Sequence, residues 1–156
     1  MLVSITPSQR ADGDYTISAT QLQLALSQLN LLEETKAIII RTLPNDNSKL
    51  TRNYSGQNPV YLEADAAGWL AQMGFEHLLI DLPSVDREED GGALSAHHQW
   101  WNYPSNPRYH ATITELIYIP SHLQDGHYLL NIQTASLTTD ASPSKPCLYV
   151  LRLMTQ

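Results

Sequence analysis

The sequence predicts one α/β or α+β domain, a mixed sheet with two or three helices, and three observations predict it. Short apolar, β-branched runs alternate with helical windows along the first two thirds of the chain. Strand-like runs dominate the last third. The 156 residues fit a single domain spanning 1–156, long enough to bury roughly 70% of the surface the unfolded chain exposes.

The elements follow in order. Leu2 to Ile5 reads as a short strand ended by Pro7, and Asp12-Gly13-Asp14 as a turn. Ser18 opens a helix to about Leu32. Ser18 and Gln21 have capping-box spacing, Ile17 and Leu22 have staple spacing, and Leu22, Leu26 and Leu29 recur at helical intervals. Ala37 to Ile40 reads as a buried strand, and Asn45 to Pro59 as a long polar loop. Leu62 to Met73 is a second helix, with Leu62, Ala66, Trp69, Leu70 and Met73 on one stripe and Gly74 as its stop. His77 to Leu82 is another buried strand, and Asp86 to Gly92 an acidic loop. Ala93 to Trp101 is a short helix, and Asn102 to Arg108, with two prolines, a loop. Ile113 to Ile119, His127 to Thr134 and Leu148 to Leu153 read as strands, with a turn at Gln124-Asp125-Gly126 and a turn-rich stretch from Ser136 to Pro146. No internal repeat or low-complexity segment is present.

Apolar residues make up 42% and charged residues 16%, and the formal net charge is −7. That balance is far from the signature of disorder. An acidic surface without a Lys/Arg cluster repels phosphate backbones, so no nucleic-acid partner is expected. The single cysteine, Cys147, excludes an intrachain disulfide and a Cys-based zinc site, and reads as a small buried hydrophobe in a strand. The first residues show no signal-peptide pattern. No run approaches the ~18 apolar residues of a membrane span. The expected compartment is the cytoplasm.

Reactive side chains concentrate between Asp81 and Glu115: Asp81, Ser84, Asp86, His97, His98, His110 and Glu115. Ser84 and Asp86 follow the carboxyl end of a strand, where open α/β sheets bind ligands; equally, Asp81, Ser84 and Asp86 are residue types that cap turns or helices. His97 and His98 are neighbours, and neighbours in a helix point roughly 100° apart, so one of them at most serves a given metal ion. Alternation through Ile113–Ile119 puts Glu115 on an apolar face, where a carboxylate is costly unless it is paired or metal-bound. The plainer alternatives are a solvated face, or pairing with Arg108 or Lys145. Trp100 and Trp101 suit either a pocket wall or the core. His-Glu-x-x-His, P-loop, Gly-x-Gly-x-x-Gly and Gly-x-Ser-x-Gly patterns are absent from the sequence.

Several stretches together resemble one family. Pro59-Val-Tyr-Leu-Glu-Ala-Asp-Ala-Ala-Gly-Trp-Leu70 followed by Leu78-Leu-Ile-Asp-Leu-Pro-Ser-Val-Asp86 resembles the helix and the Gly-x-Asp-x-Pro-Ser-x-Asp strand end of the cyclase family of metal-dependent hydrolases, to which bacterial kynurenine formamidase belongs. Ala37-Ile-Ile-Ile-Arg-Thr42 is similar to its preceding strand. Ser95-Ala-His-His-Gln-Trp-Trp101 is similar to its histidine followed by large apolar residues. Thr112-Ile-Thr-Glu-Leu116 resembles the strand with its late glutamate, and Asp140-Ala-Ser-Pro-Ser-Lys-Pro146 its final Gly-Ser-Pro turn. The resemblance covers most of residues 37–151.

It implies a swivelling β/β/α fold and a metal-dependent amide hydrolase of the arylformamidase type, acting on an N-formyl arylamine or a related cyclic amide or lactone. It also implies a divalent metal, zinc or manganese. His97 and Glu115 take the places of the family's late metal ligands, Ser84 and Asp86 those of supporting groups, and Trp100 and Trp101 those of pocket walls. The spacing from His97 to Glu115 marks Asn102–Tyr109 as an insertion. The family's His-x-Gly-Thr-His-x-Asp-x-Pro-x-His run has no counterpart, since no histidine precedes His77. The expectation is therefore the C-terminal portion of a longer family member, an incomplete copy of the domain whose metal site is incomplete by itself. It would be a homo-oligomer or associate with a missing N-terminal segment. Two alternatives are a non-catalytic cyclase-like binding or assembly domain, and an unrelated α/β protein with chance matches.

Overall fold

The structure is a computed structural model and describes residues 1–151. At its centre is a four-stranded parallel sheet of order β1-β4-β6-β7, made of β1 (Leu2–Ile5), β4 (Ala37–Thr42), β6 (His77–Ile80) and β7 (Thr112–Thr114). Sequence order and spatial order coincide, and each crossover carries one helix: α1 (Ala19–Ser27), α2 (Ala64–Gln72) and α3 (Ser95–Trp101).

The strands are apolar on both faces because both faces are covered. Val3, Ile5, Ile38, Ile40, Leu78 and Ile80 join the helices' buried residues in one large core. The alternate residues Leu2, Ile39 and Leu79 meet Ile119 in a second, smaller core on the other face. The register aligns those alternates, with Leu2 opposite Ile39 and Ile39 opposite Leu79. The second core is roofed by an antiparallel hairpin, β8 (Tyr128–Thr134) and β9 (Ser144–Val150), through Tyr128, Leu130, Ile132 and Leu148. Hairpin, sheet and helices thus form the three layers of a β/β/α domain.

Two ties hold the hairpin side to the sheet. Leu2 and Gly126 exchange both backbone hydrogen bonds, at 2.8 and 3.0 Å; Gly126 sits at φ 145, a region open in practice to glycine alone. Buried Arg41 donates to Ser4 Oγ, to the carbonyls of Pro120 and Leu123, and to Asp125, while Asp125 also accepts the Ser4 amide and hydroxyl.

Local chemistry explains α1. Ser18 and Gln21 form the expected capping box, and Ile17 and Leu22 are fully buried beside each other's elements. The helix stops at Ser27, short of Leu32, and Gln28 closes it. The second helix begins at Ala64 because Leu62 is already committed to a small sheet of β2 (Ser8–Gln9), β3 (Tyr15–Ile17) and β5 (Tyr61–Leu62). Those strands of two or three residues are too short to show a period. β9 begins earlier than expected, at Ser144, with Pro146 opposite Ile132 in a ladder whose one partner among the described residues is β8, an arrangement that accommodates a proline. Residues 152 and 153 of the expected last strand lie outside the described residues. Cys147 lies in β9 as expected but is only partly buried.

The strand expected over Ile113–Ile119 is a correction. Only Thr112–Thr114 pairs, with β6. Leu116 turns the chain at φ 54 and is exposed, and Ile117 crosses to the second core. Glu115 therefore does not share an apolar strand face with Ile113 and Ile117.

Candidate functional site

Asp86, His97 and Glu115 converge beyond the carboxyl ends of β6 and β7. Asp86 follows the turn Leu82-Pro83-Ser84, and its amide donates to Ser84 Oγ at 3.1 Å. Its carboxylate is buried and serves two purposes. Oδ1 accepts the Ala96 amide at 2.6 Å and Oδ2 the His97 amide at 3.2 Å, which caps α3 from outside. Leu94, the residue at the cap position, offers no side-chain bond of its own. Oδ2 also accepts His97 Nδ1 at 2.6 Å.

That contact sets the histidine's protonation. An ionised carboxylate only accepts, so the proton sits on Nδ1 and the Nε2 lone pair is free in the neutral ring. Nε2 lies 3.8 Å from Glu115 Oε1, beyond hydrogen-bond reach. Oε1 is fixed in turn by the Val85 amide at 2.9 Å. Glu115 is thus held by the turn that carries Asp86. Pairing with Arg108 or Lys145 does not occur among the described residues.

The Asp86 hydrogen bond raises the His97 pKa above the usual histidine value; burial opposes this, and the negative charge of Glu115 adds to it. Burial alone would push Asp86 upward, but the bonds from the His97 ring and the two helix amides outweigh it and hold the carboxyl below the usual range.

One helical step separates the neighbouring residues of α3 into different environments. His97 turns to the carboxylates, with the Trp101 ring 5.3 Å away. His98 turns aside to Tyr103, 5.1 Å away. Trp100 is completely buried in the large core under the Arg108 guanidinium, so of the two expected pocket walls only Trp101 lines a cavity. α3 packs tightly on α2, where a Cβ at Gly68 would meet Gln99 Oε1 at 3.0 Å.

Among the described residues the Ser84 side chain makes one hydrogen bond, from the Asp86 amide, as the turn-capping alternative has it. Asp81 is separate from the cluster: it is buried, accepts the Thr42 amide, and pairs with buried Lys49 at 2.7 Å. Sequence reading missed the Val85 amide as Glu115's anchor and the cavity-lining Leu94 and Tyr103, and it weighed His98 as a metal ligand and Arg108 as a partner of Glu115 rather than as cavity wall. The one signal available was the Asn102–Tyr109 stretch, set apart as an insertion.

The donor set can be tested against the divalent ion that the resemblance implies. Donors 3.8 Å apart allow one point to lie about 2.1 Å from both, the usual distance to nitrogen and oxygen ligands. Nδ1 held by a carboxylate is the usual support of a metal-bound histidine. The pair fits as two ligands. No group of three candidate His, Cys, Asp or Glu ligands occurs among the described residues, so a complete site needs further donors.

Comparison with known proteins agrees with this architecture. The Cyclase family model matches residues 1–87, a span that includes Ser84 and Asp86 but not His97 or Glu115. Solved structures share the fold, two of them as follows. One is named as a potential metal-dependent hydrolase with cyclase activity, at 16% identity and TM-score 0.62, covering 94% of this chain and 63% of that one. The other is a predicted metal-dependent hydrolase from Bacillus stearothermophilus, at 16% identity and TM-score 0.60, covering 94% and 62%. This chain therefore spans less than two thirds of the length of either. No curated protein matches it. No helix among the described residues is long and apolar enough to cross a membrane.

Proposed function

Because the chain belongs to the cyclase family, we propose that it supplies two ligands, His97 and Glu115, to the divalent-metal centre of a hydrolase. The finer proposal is an amide hydrolase of the arylformamidase type, using zinc or manganese. The observation that carries the proposal is the Asp86–His97–Glu115 arrangement, with Nε2 and Oε1 near each other and each anchored from behind.

When bound, such a metal lowers the pKa of its water and polarises a scissile carbonyl. The chain's own residues do the preparatory work. Asp86 fixes the imidazole by a 2.6 Å bond and keeps the proton on Nδ1. The Val85 amide fixes Glu115 without using its second oxygen. Cap and ligand share one carboxylate, so the start of α3 and the ring orientation are set together. Ser84 steadies the turn behind them.

The remaining donors would come from water, a second copy of the chain, or a segment with the family's histidine-rich motif. Association of that kind is part of the proposal; the hairpin's outer face exposes Leu129 and Tyr149 directly across from each other. The absence of a three-ligand group among the described residues favours one other reading, a non-catalytic cyclase-like binding domain.

Calorimetric titration with zinc and with manganese separates the two. The parent chain should bind one of them, and the His97→Ala, Glu115→Ala double variant should not. A parent chain that takes up neither metal would refute a centre completed by water or a second copy, and would leave a truncated chain that needs the histidine-rich segment or the non-catalytic domain.

A further inference from the structure

Four consecutive residues, Val85 to Glu88, reach four different parts of the chain. The Val85 amide donates to Glu115, and its carbonyl accepts the Leu62 amide at 2.9 Å. Asp86 holds the start of α3 and the His97 ring. Arg87 Nε lies 2.9 Å from Asp14 Oδ2. The Glu88 carboxylate accepts the Gly56 amide at 2.6 Å and the Asn58 amide at 3.1 Å.

Asp14 anchors this group. It is 3% exposed and also accepts the Asn58 side-chain amide at 2.7 Å and the Tyr61 hydroxyl at 3.0 Å. The Asn58 bond leads in holding its carboxyl below the usual range; burial opposes this, and Tyr61 and Arg87 add to it. Arg87 therefore meets an ionised partner at neutral pH. Asn58 closes a ring of contacts, because its backbone amide goes to Glu88 and its side chain to Asp14, the partner of Arg87.

The small sheet supplies the fixed points. Asp14 leads directly into β3, and Tyr61 and Leu62 form β5. Leu62 thus pins the residue before Asp86, and Asp14 pins the residue after it. A group that orients another side chain is effective only when it is itself held, to within about 0.5 Å. The pins on either side of Asp86 supply that hold. The Arg87 side chain is 45% exposed, and exposed ion pairs add little to global stability. Their effect belongs at the site rather than in the melting temperature.

We infer that Arg87 and Glu88 are positioning residues: braced against Asp14 and the 56–58 turn, they aim the Asp86 carboxylate and so keep the His97 imidazole in its Nδ1–H form with Nε2 towards Glu115. That this serves a metal rests on the proposed function; the aiming of the ring does not.

The test is NMR of the whole chain without added metal, in alkaline solution where the His97 ring is neutral. The ring nitrogen shifts report which nitrogen carries the proton, and that is set by the bond the ring makes. The parent should show the Nδ1–H form alone. The Arg87→Ala, Glu88→Ala double variant should show a mixture of both forms. The Arg87→Lys, Glu88→Gln pair keeps a donor for Asp14 and an acceptor for the 56–58 amides, and should return the ring towards the parent. Arg10→Ala removes exposed pairs with Asp12 and Glu63 at the same small sheet and should leave the ring as it is in the parent. A ring that stays in the Nδ1–H form in the alanine variant, a mixture already present in the parent, an equal change in Arg10→Ala, or a conservative pair no better than the alanine pair would each overturn the inference. Where the chain binds zinc or manganese, the alanine pair should raise Kd about tenfold, the low end of the cost of losing a group that orients a ligand; an unchanged Kd beside a released ring would refute the service to the metal. A released ring in a chain that takes up neither metal would count against the proposed function alone, and metal uptake with an unmoved ring would sink this inference alone.

Discussion

Replacing Asp86 by alanine should be costly in three separable ways. Its carboxylate caps α3 through the Ala96 and His97 amides, and losing a cap costs about 1 kcal/mol. The 2.6 Å bond to the His97 ring is charge-assisted, worth roughly 1.5–3 kcal/mol. Together the loss is about 3 kcal/mol, which in a chain of this size lowers Tm by about 6–12 °C. The His97 pKa, raised chiefly by that bond, should fall towards the ordinary histidine value. Metal affinity should drop about 10–100-fold, the usual cost of removing a group that orients a ligand.

The stability difference should also depend on pH. Asp86 has a folded pKa below its usual value. Its contribution is complete above about pH 4 and is lost as pH falls through the folded value. His97 has a folded pKa above its usual value. Its contribution is complete below about pH 6.5 and is lost as pH rises through the folded value. The gap between parent and Asp86→Ala is therefore widest between about pH 4 and about pH 6.5. Thermal melts across that range, with NMR titration of the His97 ring, measure both effects. A variant that melts with the parent at pH 5.5 and whose His97 titrates unchanged would refute the reasoning.

Two further substitutions test the frame around the site. Lys49→Met strips the buried Asp81 of its ion-pair partner and should cost about 3–5 kcal/mol in urea unfolding; adding Asp81→Asn should recover part of it, and a single variant as stable as the parent would contradict the pairing. Trp100→Ala empties the completely buried site beneath Arg108 and should cost about 3–5 kcal/mol, measured in the same way, whereas Trp100 as a pocket wall would be lost at little expense to stability.

What was legible in the sequence was mostly local or strongly periodic. Ser18 and Gln21 are three residues apart, so their mutual bonds were visible as spacing. Ile38–Ile40 and Leu78–Ile80 announced themselves because strands covered on both faces are continuously apolar. Glu115 was singled out for a reason that did not survive: the alternation breaks at Leu116, and what holds Glu115 is an amide thirty residues earlier in the chain. His97 could not be distinguished from His98, nor Trp101 from Trp100, until α3 had a rotation about its axis. Asp86 supplies that, eleven residues upstream of His97, by accepting from two amides at the helix start. The small β2-β3-β5 sheet left no trace because two or three residues cannot display a period.

The clasp between Ser4, Arg41 and Asp125 joins positions 121 residues apart. During synthesis the strands β1, β4 and β6 can line up in the order in which they emerge. Beyond Ser4, the Arg41 fork has nothing to close on until Pro120, Leu123 and Asp125 have cleared the ribosome. Until then Leu2, Ile39 and Leu79 present an uncovered apolar row, the kind of surface that chaperones hold and aggregates exploit. The last third of the chain thus acts as the latch of the first, and changes at Arg41 should damage yield in cells more than they damage the purified, already closed molecule.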